Sequence, residues 1–288
     1  MKYESSELIL NDDNSVFHLH LQPEQLADKV ILVGDMGRID TISSFFDKIE
    51  CEVQNREFRT VTGTYRGKRI TVVATGIGTD NIDIVMTELD ALANIDLINR
   101  CDKKEFRKLS FVRIGTSGGM QINVPVDSFL VSEKSIGFDG VLNYYANRDK
   151  VCDLEFEKEF VKQTGYSEKL TAPYCINSNS DLVNRIAKTD MIRGITISSP
   201  GFYGPQGREL RMKLAFPYLN KNIEAFEYKG KKVTNYEMES SAIAGLAAIM
   251  GHEAMTVCVI IANRMLKQYS KDYHPAIKKL IQIILDRI

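Results

Sequence analysis

The chain has 288 residues, 44% of them hydrophobic, enough to bury a sizeable core and to exclude a disordered chain. Its 37 Lys and Arg against 38 Asp and Glu leave a net charge of -1, which excludes a general electrostatic partner such as nucleic acid or an acidic membrane surface. No apolar run approaches the ~20 residues of a membrane span, so neither nucleic acid nor membrane is expected as a partner.

The stretch from Met1 to Asn14 is polar and acidic, unlike a secretory signal. Cys51, Cys101, Cys152, Cys175 and Cys258 are scattered, odd in number and without a CxxC pair, the pattern of reduced thiols in a cytoplasmic protein. His18, His20, His252 and His274 show no metal-ligand spacing beyond chance, and His18-x-His20 lacks a third ligand, so no metal is expected. No repeat or low-complexity linker divides the chain, and residues 1–288 are expected to form a single α/β domain.

In chain order, Lys29 to Val33 reads as a buried strand ending at Gly34-Asp35-Met36-Gly37-Arg38. Ile42, Phe45, Phe46 and Ile49 then share a helical stripe, which predicts a helix from Ile39 to Lys48. The amides of such a Gly turn suit an anion, with Arg38 adding charge, although Gly turns are commonly only turns. No GxGxxG is present, which excludes the dinucleotide fingerprint.

Phe58 to Tyr65 and Lys68 to Ala74 read as paired strands, followed by Thr75-Gly76-Ile77-Gly78 and a helix from about Asn81 to Ala93. The charged stretch within Asn94 to Leu109 is expected to be solvated and peripheral. Ser110 to Ile114 is a strand carrying Arg113, and runs into a turn at Gly115-Thr116-Ser117-Gly118-Gly119. An Arg in a buried strand is unusual. It snorkels, pairs with a carboxylate, or joins the hydroxyls and Gly amides in a second oxyanion cradle.

Asp127 to Ser132 reads as a strand, Lys134 to Lys150 as a loop, Leu154 to Thr164 and Asp181 to Ile192 as helices, and Gly194 to Ser199 as a strand. Pro200 to Arg208 is an aromatic, Gly- and Pro-rich loop holding Gln206-x-Arg208. Gln offers an acceptor and a donor pair and Arg donors only, a match for an imide edge, with Phe202 to stack on the ring; the alternative is an ordinary flexible loop.

Thr234 to Ser241 follows the short strand-like lead Lys232-Val233 and opens an Ala-rich helix. In extended backbone Glu237 and Glu239 point to one side, with Met238 opposite. Ser240 or Ser241 is available to cap the helix, so one Glu is accounted for as a first-turn charge. Two buried carboxylates need polar company, which a polyhydroxyl ligand such as a sugar would supply. Met255 to Ile261 is an apolar strand ending at Ala262-Asn263-Arg264, and the last helix carries an apolar stripe from Ile277 to Ile288.

Six motifs in order, Gly34-Asp35-x-x-Arg38, Arg56-Glu57-Phe58, Thr75-Gly76-Ile77-Gly78, Arg113 to Gly118, Gln206-x-Arg208 and Asn235 to Ser240, resemble the nucleoside phosphorylase family. The likeness runs from about Phe17 to Arg264, and the Gln-x-Arg loop and Asn263-Arg264 place it nearest the uridine-cleaving branch. The resemblance implies a mixed, barrel-like central sheet wrapped by helices. It implies reversible phosphorolysis of uridine to uracil and ribose 1-phosphate, with inorganic phosphate as co-substrate and no cofactor. Another phosphorylase or a nucleosidase of the family, or a silent nucleoside-binding protein, stands as the alternative.

By matching motif, Gly34, Arg38, Arg113 and Thr116 would bind phosphate, with Arg56 reaching in from a neighbouring subunit. Met238, Glu239 and, less directly, Glu237 would hold the ribose, with His18 of the neighbour at its 5′ hydroxyl. Phe202, Gln206 and Arg208 would take the uracil, and Arg113, Arg208 and Glu239 would carry the catalysis. Shared sites imply at least a homodimer. Met36 replaces the family's usual Pro in the first turn, which implies a looser turn. Thr79-Asp80-Asn81 replaces the commoner Gly-Pro-Ser, which argues against a monovalent cation at the dimer contact, and the insertion at Arg100 to Lys108 argues for a dimer over a hexamer.

Overall fold

A computed structural model describes residues 2–288, so Met1 of the polar N-terminal stretch lies outside them. The strands are β1 (Lys29–Val33), β2 (Lys48–Asn55), β3 (Phe58–Tyr65), β4 (Lys68–Ala74), β5 (Ile95–Asp96), β6 (Cys101–Asp102) and β7 (Ser110–Gly119). They continue as β8 (Phe129–Gly137), β9 (Tyr174–Asn177), β10 (Ile192–Ser198), β11 (Glu227–Tyr228), β12 (Lys231–Glu237), β13 (Glu253–Asn263) and β14 (Gln268–Tyr269). The helices are α1 (Gly37–Ser43), α2 (Thr79–Asn94), α3 (Arg148–Val151), α4 (Leu154–Thr164), α5 (Ser180–Ile186), α6 (Leu219–Ala225), α7 (Ser240–Met250) and α8 (His274–Arg287).

The central sheet runs β11-β12-β10-β8-β13-β7-β1-β4-β3-β2, and a further pairing of β12 with β7 closes five of these strands into a barrel. That closure is antiparallel, with Tyr236 opposite Gly118 and Asn235 opposite Gly119. The outer strands β1 and β4 lie parallel to β7, so three neighbouring strands end on one side.

Alternation along the strands sorts the core into two layers. Ile31, Val33, Val112 and Ile114 pack under α5 and α8, whereas Val30, Leu32 and Phe111 pack under α2 and α7. Arg113 falls on the Phe111 side, at a position that the pattern reserves for an apolar residue. A third cluster, with Phe156, Phe160, Ile197 and Tyr236, fills the space between α4 and the barrel.

Several boundaries differ from the sequence reading. The helix expected over Ile39 to Lys48 stops at Ser43, because the Ser44 hydroxyl bonds back to the Thr41 carbonyl at 2.8 Å and the chain turns into β2. Phe45 and Phe46 still pack on the core, which is why the periodicity overran. Gly115 to Gly119 is not a turn but the second half of β7, paired throughout with β13. The stretch from Lys134 begins as β8 and includes α3, and α5 ends at Ile186 before β10 begins. The charged insertion is not merely solvated: Lys103 donates to the last carbonyls of α2, Leu92 at 3.0 Å and Ala93 at 2.9 Å.

The end of β7 needs glycine at one position and not at its neighbour. A Cβ on Gly119 would lie 2.9 Å from Asn263 Nδ2 and 3.0 Å from the Val124 carbonyl, whereas one on Gly118 would meet nothing. Gly119→Ala is therefore expected to lose about 1–3 kcal/mol of stability and Gly118→Ala about 0.5 or less, read as denaturation midpoints. Equal losses in the two variants would remove the packing account.

Candidate active site

The parallel strands β4, β1 and β7 lie side by side, and the turns after two of them touch: a Cβ on Gly34 would sit 3.3 Å from the Gly76 carbonyl. Crevices at the carboxyl ends of parallel strands are where open α/β sheets take ligands. Met36 has φ -59°, the angle a proline ring would fix, so the first turn keeps its course without the ring. The Arg38 side chain, buried at the start of α1, donates to the Ile114 carbonyl at 3.0 Å. Burial, and then the neighbouring Arg113 charge, depress Arg38 below the usual arginine range. No carboxylate pairs with it among the described residues.

Arg113 is the hub. Gly115 makes room for it, since a Cβ there would fall 2.2 Å from Arg113 Nη1. Its guanidinium lies 3.2 Å from Glu237 and hydrogen-bonds Glu239, all three side chains being nearly sealed from solvent. Burial disfavours the Arg113 charge, but Glu239 and Glu237 more than offset that and hold it firmly protonated.

The two carboxylates do different work. Glu237 accepts Ser198 Oγ at 2.5 Å, Ser240 Oγ at 2.7 Å, and the amides of Glu239 and Ser240 at 2.9 Å. It therefore caps α7, a task the sequence reading offered to Ser240 or Ser241. Among the described residues Glu239 has only the Gly78 amide, at 2.8 Å, and Arg113. Burial pushes the Glu239 carboxyl above its ordinary range, against the pull of Arg113 and with the help of Glu237. Met238 is half-buried between them. Thr116 is half-buried on β7, whereas Ser117, expected in the same cradle, accepts the Asn235 side-chain amide at 3.0 Å inside the barrel.

The loop after β10 holds a second cationic group. Gly207 adopts φ +67° and has the Asn220 amide where a Cβ would be, which turns the chain so that Gln206 is buried and Arg208 half-buried. Arg208 donates to Gln206 Oε1 at 2.5 Å and stacks 3.7 Å over the exposed Phe202 ring. Burial lowers Arg208 to about 10, and the nearby Arg264 adds to the effect.

Arg264 was not singled out for the site from sequence. Its guanidinium sits 5.8 Å over the Tyr236 ring, with Nη2 buried and without a hydrogen-bond partner among the described residues. The signal for it was a cation at the end of the very apolar β13. Its neighbour Asn263 is committed to backbone, donating to the Gln121 and Val124 carbonyls at 2.8 Å and accepting the Leu266 amide at 3.0 Å.

His18 and Arg56 sit together, away from Glu239. The His18 ring lies 2.6 Å from Glu88, nine residues along α2 from its start at Thr79, or roughly 14 Å by helical rise. Asn55 donates to the His18 carbonyl at 2.8 Å, and the exposed Arg56 lies 5.3 Å over the Phe17 ring. His20 faces Asp13 instead, so the two histidines share no ligand position. No group of three or more potential ligands is placed to hold a metal among the described residues.

Known proteins share this architecture along nearly the whole chain. The profile of the phosphorylase superfamily matches residues 28–286. The uridine phosphorylase of Thermococcus kodakarensis is 29% identical over 272 residues, 94% of this chain and 85% of that protein. The uridine phosphorylase of Escherichia coli is 28% identical over 254 residues, 87% of each chain. A crystal structure of a Trypanosoma brucei nucleoside phosphorylase, described as showing uridine phosphorylase activity, superposes with a TM-score of 0.86 at 29% identity, covering 97% of this chain and 98% of that one.

The unequal partners of the two carboxylates separate stability from the site. Glu237→Gln is expected to cost about 3–5 kcal/mol, because it breaks a buried ion pair and a helix cap together. Glu239→Gln is expected to cost less. Its folded pKa lies above the unfolded 4.5, so the folded state binds this proton more tightly. The wild type therefore gains stability from Glu239 as pH falls from neutrality towards that value, and the Gln variant does not. Denaturation midpoints across that pH range check both statements, and a larger loss for Glu239→Gln at neutral pH would refute them.

Proposed function

The chain belongs to the phosphorylase superfamily, and on that footing we propose that it is a pentosyltransferase catalysing the reversible phosphorolysis of uridine to uracil and ribose 1-phosphate. The observation that carries the proposal is the buried pair of cations, Arg38 at the start of α1 and Arg113 within β7, beside the sparsely bonded carboxylate of Glu239. Arg38 has no carboxylate ion pair among the described residues, which suits a phosphate bound against Gly34, Arg38, Arg113 and Thr116. A nucleosidase, which uses water, has no need of this charge.

The ribose lies over that phosphate, with Glu239 accepting its 2′ and 3′ hydroxyls and Met238 against its face. Glu237 acts as a positioning residue that fixes Arg113 and the start of α7. As the C1′–N1 bond breaks, positive charge grows on the sugar and is met by phosphate, which then bonds to C1′. Negative charge spreads onto the departing uracil, whose edge Gln206 and Arg208 read beside Phe202 and Arg264. This is catalysis by positioning and electrostatic stabilisation. A pyrimidine is favoured because Asn263 has no free group for protonating a purine nitrogen.

The His18 ring is held at Glu88, roughly 14 Å of helical rise along α2 from Thr79, which supports donation of His18 and Arg56 across a subunit boundary, and so a homodimer at least. Five free cysteines support a reducing, cytoplasmic setting and a place in pyrimidine salvage. No helix among the described residues is long and apolar enough to cross a membrane.

Free uracil is expected from uridine only when phosphate is present; none in either condition would sink the proposal, and equal release would favour hydrolysis. Arg208→Ala should lower kcat/KM for uridine by roughly two to three orders of magnitude. For the shared site, Arg56→Ala and Glu239→Gln are each expected to be nearly inactive. Their co-assembled 1:1 mixture should recover about a quarter of wild-type activity, since half the dimers carry one intact site. No recovery on mixing would place Arg56 in its own chain's site.

A further inference from the structure

A cavity of about 1180 Å³ opens on the loop that carries Arg208. It shares no residue with the proposed phosphate and ribose sites, and Arg208 is its one residue from the proposed uracil set among the described residues. Its walls are apolar, with Phe138, Tyr166, Leu214, Phe216 and Leu219 facing in. Ligand pockets usually span about 300–1,000 Å³, so this one has room for an elongated molecule.

The charge around it is one-sided. Lys169, Arg208, Arg211 and Lys213 line the cavity, and no Asp or Glu does. Lys213 is paired with Glu209 at 2.7 Å, but no ion pair engages the other three among the described residues. In a chain of net charge -1 such a cluster is local. The segment over the cavity, between the Gln206 turn and α6, has neither helix nor strand, and carries Leu210 at 71% and Met212 at 84% exposure. Two large apolar side chains held in water beside an apolar cavity are suited to fold onto an occupant.

We propose that this cavity binds an acyl-chain carboxylate. The chain lies among the apolar walls, and the carboxylate is met by Lys169 and Arg211 with Arg208 in reach. Occupation draws Arg208 from the uracil edge, so the ligand inhibits by competing with the nucleoside and not with phosphate. That consequence rests on the uracil-reading role proposed for Arg208, whereas the binding does not.

Calorimetric titration of the full chain with dodecanoate, below its micelle concentration, decides the binding without turnover. One saturable site per chain is expected, with dodecan-1-ol binding at least about tenfold more weakly. The double variant Lys169→Glu/Arg211→Glu, both at exposed positions, should weaken dodecanoate by about tenfold while leaving the fold intact. No saturable binding, equal binding of the alcohol, or an unchanged affinity in the double variant would overturn the proposal. In the phosphorolysis assay dodecanoate should raise KM for uridine and leave KM for phosphate unchanged. Binding without that effect would overturn the Arg208 link alone. A protein inert towards uridine would overturn the proposed reaction, while saturable, charge-dependent binding of dodecanoate would still support the cavity's ligand.

Discussion

A guanidinium in the middle of a buried strand must find negative charge inside the protein, and at Arg113 that requirement organises the junction opposite it. Desolvating an ion costs several kcal/mol, and removing one partner of a buried pair leaves the other uncompensated. Two carboxylates answer one cation, from two residues that end a strand and begin a helix. The rest of the site inherits its position from this contact. Gly115 leaves room for the guanidinium, Gly78 donates to Glu239, and Ser198 and Ser240 tie Glu237 to β10 and α7.

The excess of carboxylate over cation at the hub lets one motif hold both a structural acid and the acid proposed to face the sugar. Glu237 is saturated by donors from its own chain, so nothing is left for a ligand to gain from it. Glu239 is buried but has few donors, and ionised carboxylates in that condition are poised to accept hydroxyls. The same logic applies to the cations. Arg113 is compensated internally, whereas among the described residues Arg38 hydrogen-bonds only a backbone carbonyl, which would suit the anion proposed for it.

Much of the fold was legible where local chemistry agreed with tertiary need. Leu154 to Thr164 has the bounds read from sequence because Asp153 caps the helix and Gly165 takes the left-handed turn that ends it. The paired strands β3 and β4 were legible as apolar runs around a tight turn. Gly115 to Gly119 was not, because glycines in a strand carry no local preference for it. Gly115 is there for the Arg113 side chain and Gly119 for the Asn263 side chain and the Val124 carbonyl, which are demands that no local preference encodes. At the site, the residue types pointed to an anion, a diol and an imide, but their assembly came from resemblance. That Glu237 rather than a serine caps α7 depends on backbone angles at Glu239, and Arg264 joins Arg208 only once the barrel closes.

The balance of charge across the site gives the proposed reaction its direction in space. Glu237 and Glu239 both pair with Arg113, whereas Arg38, Arg208 and Arg264 have no carboxylate ion pair among the described residues, Asp35 and Glu224 acting on Arg38 and Arg264 from further off. A phosphate of about -1.5 to -2 charge, bound as proposed, would meet Arg38 and leave Arg208 and Arg264 at the other end. In the proposed reaction their charge would meet the negative charge that leaves with the base, while Glu239 and phosphate would face the positive charge that grows on the sugar. Depressed arginines at the base end are what a site prepared for an anion that exists only late in the reaction would show, since such charge is held ready at a cost and is repaid in the transition state.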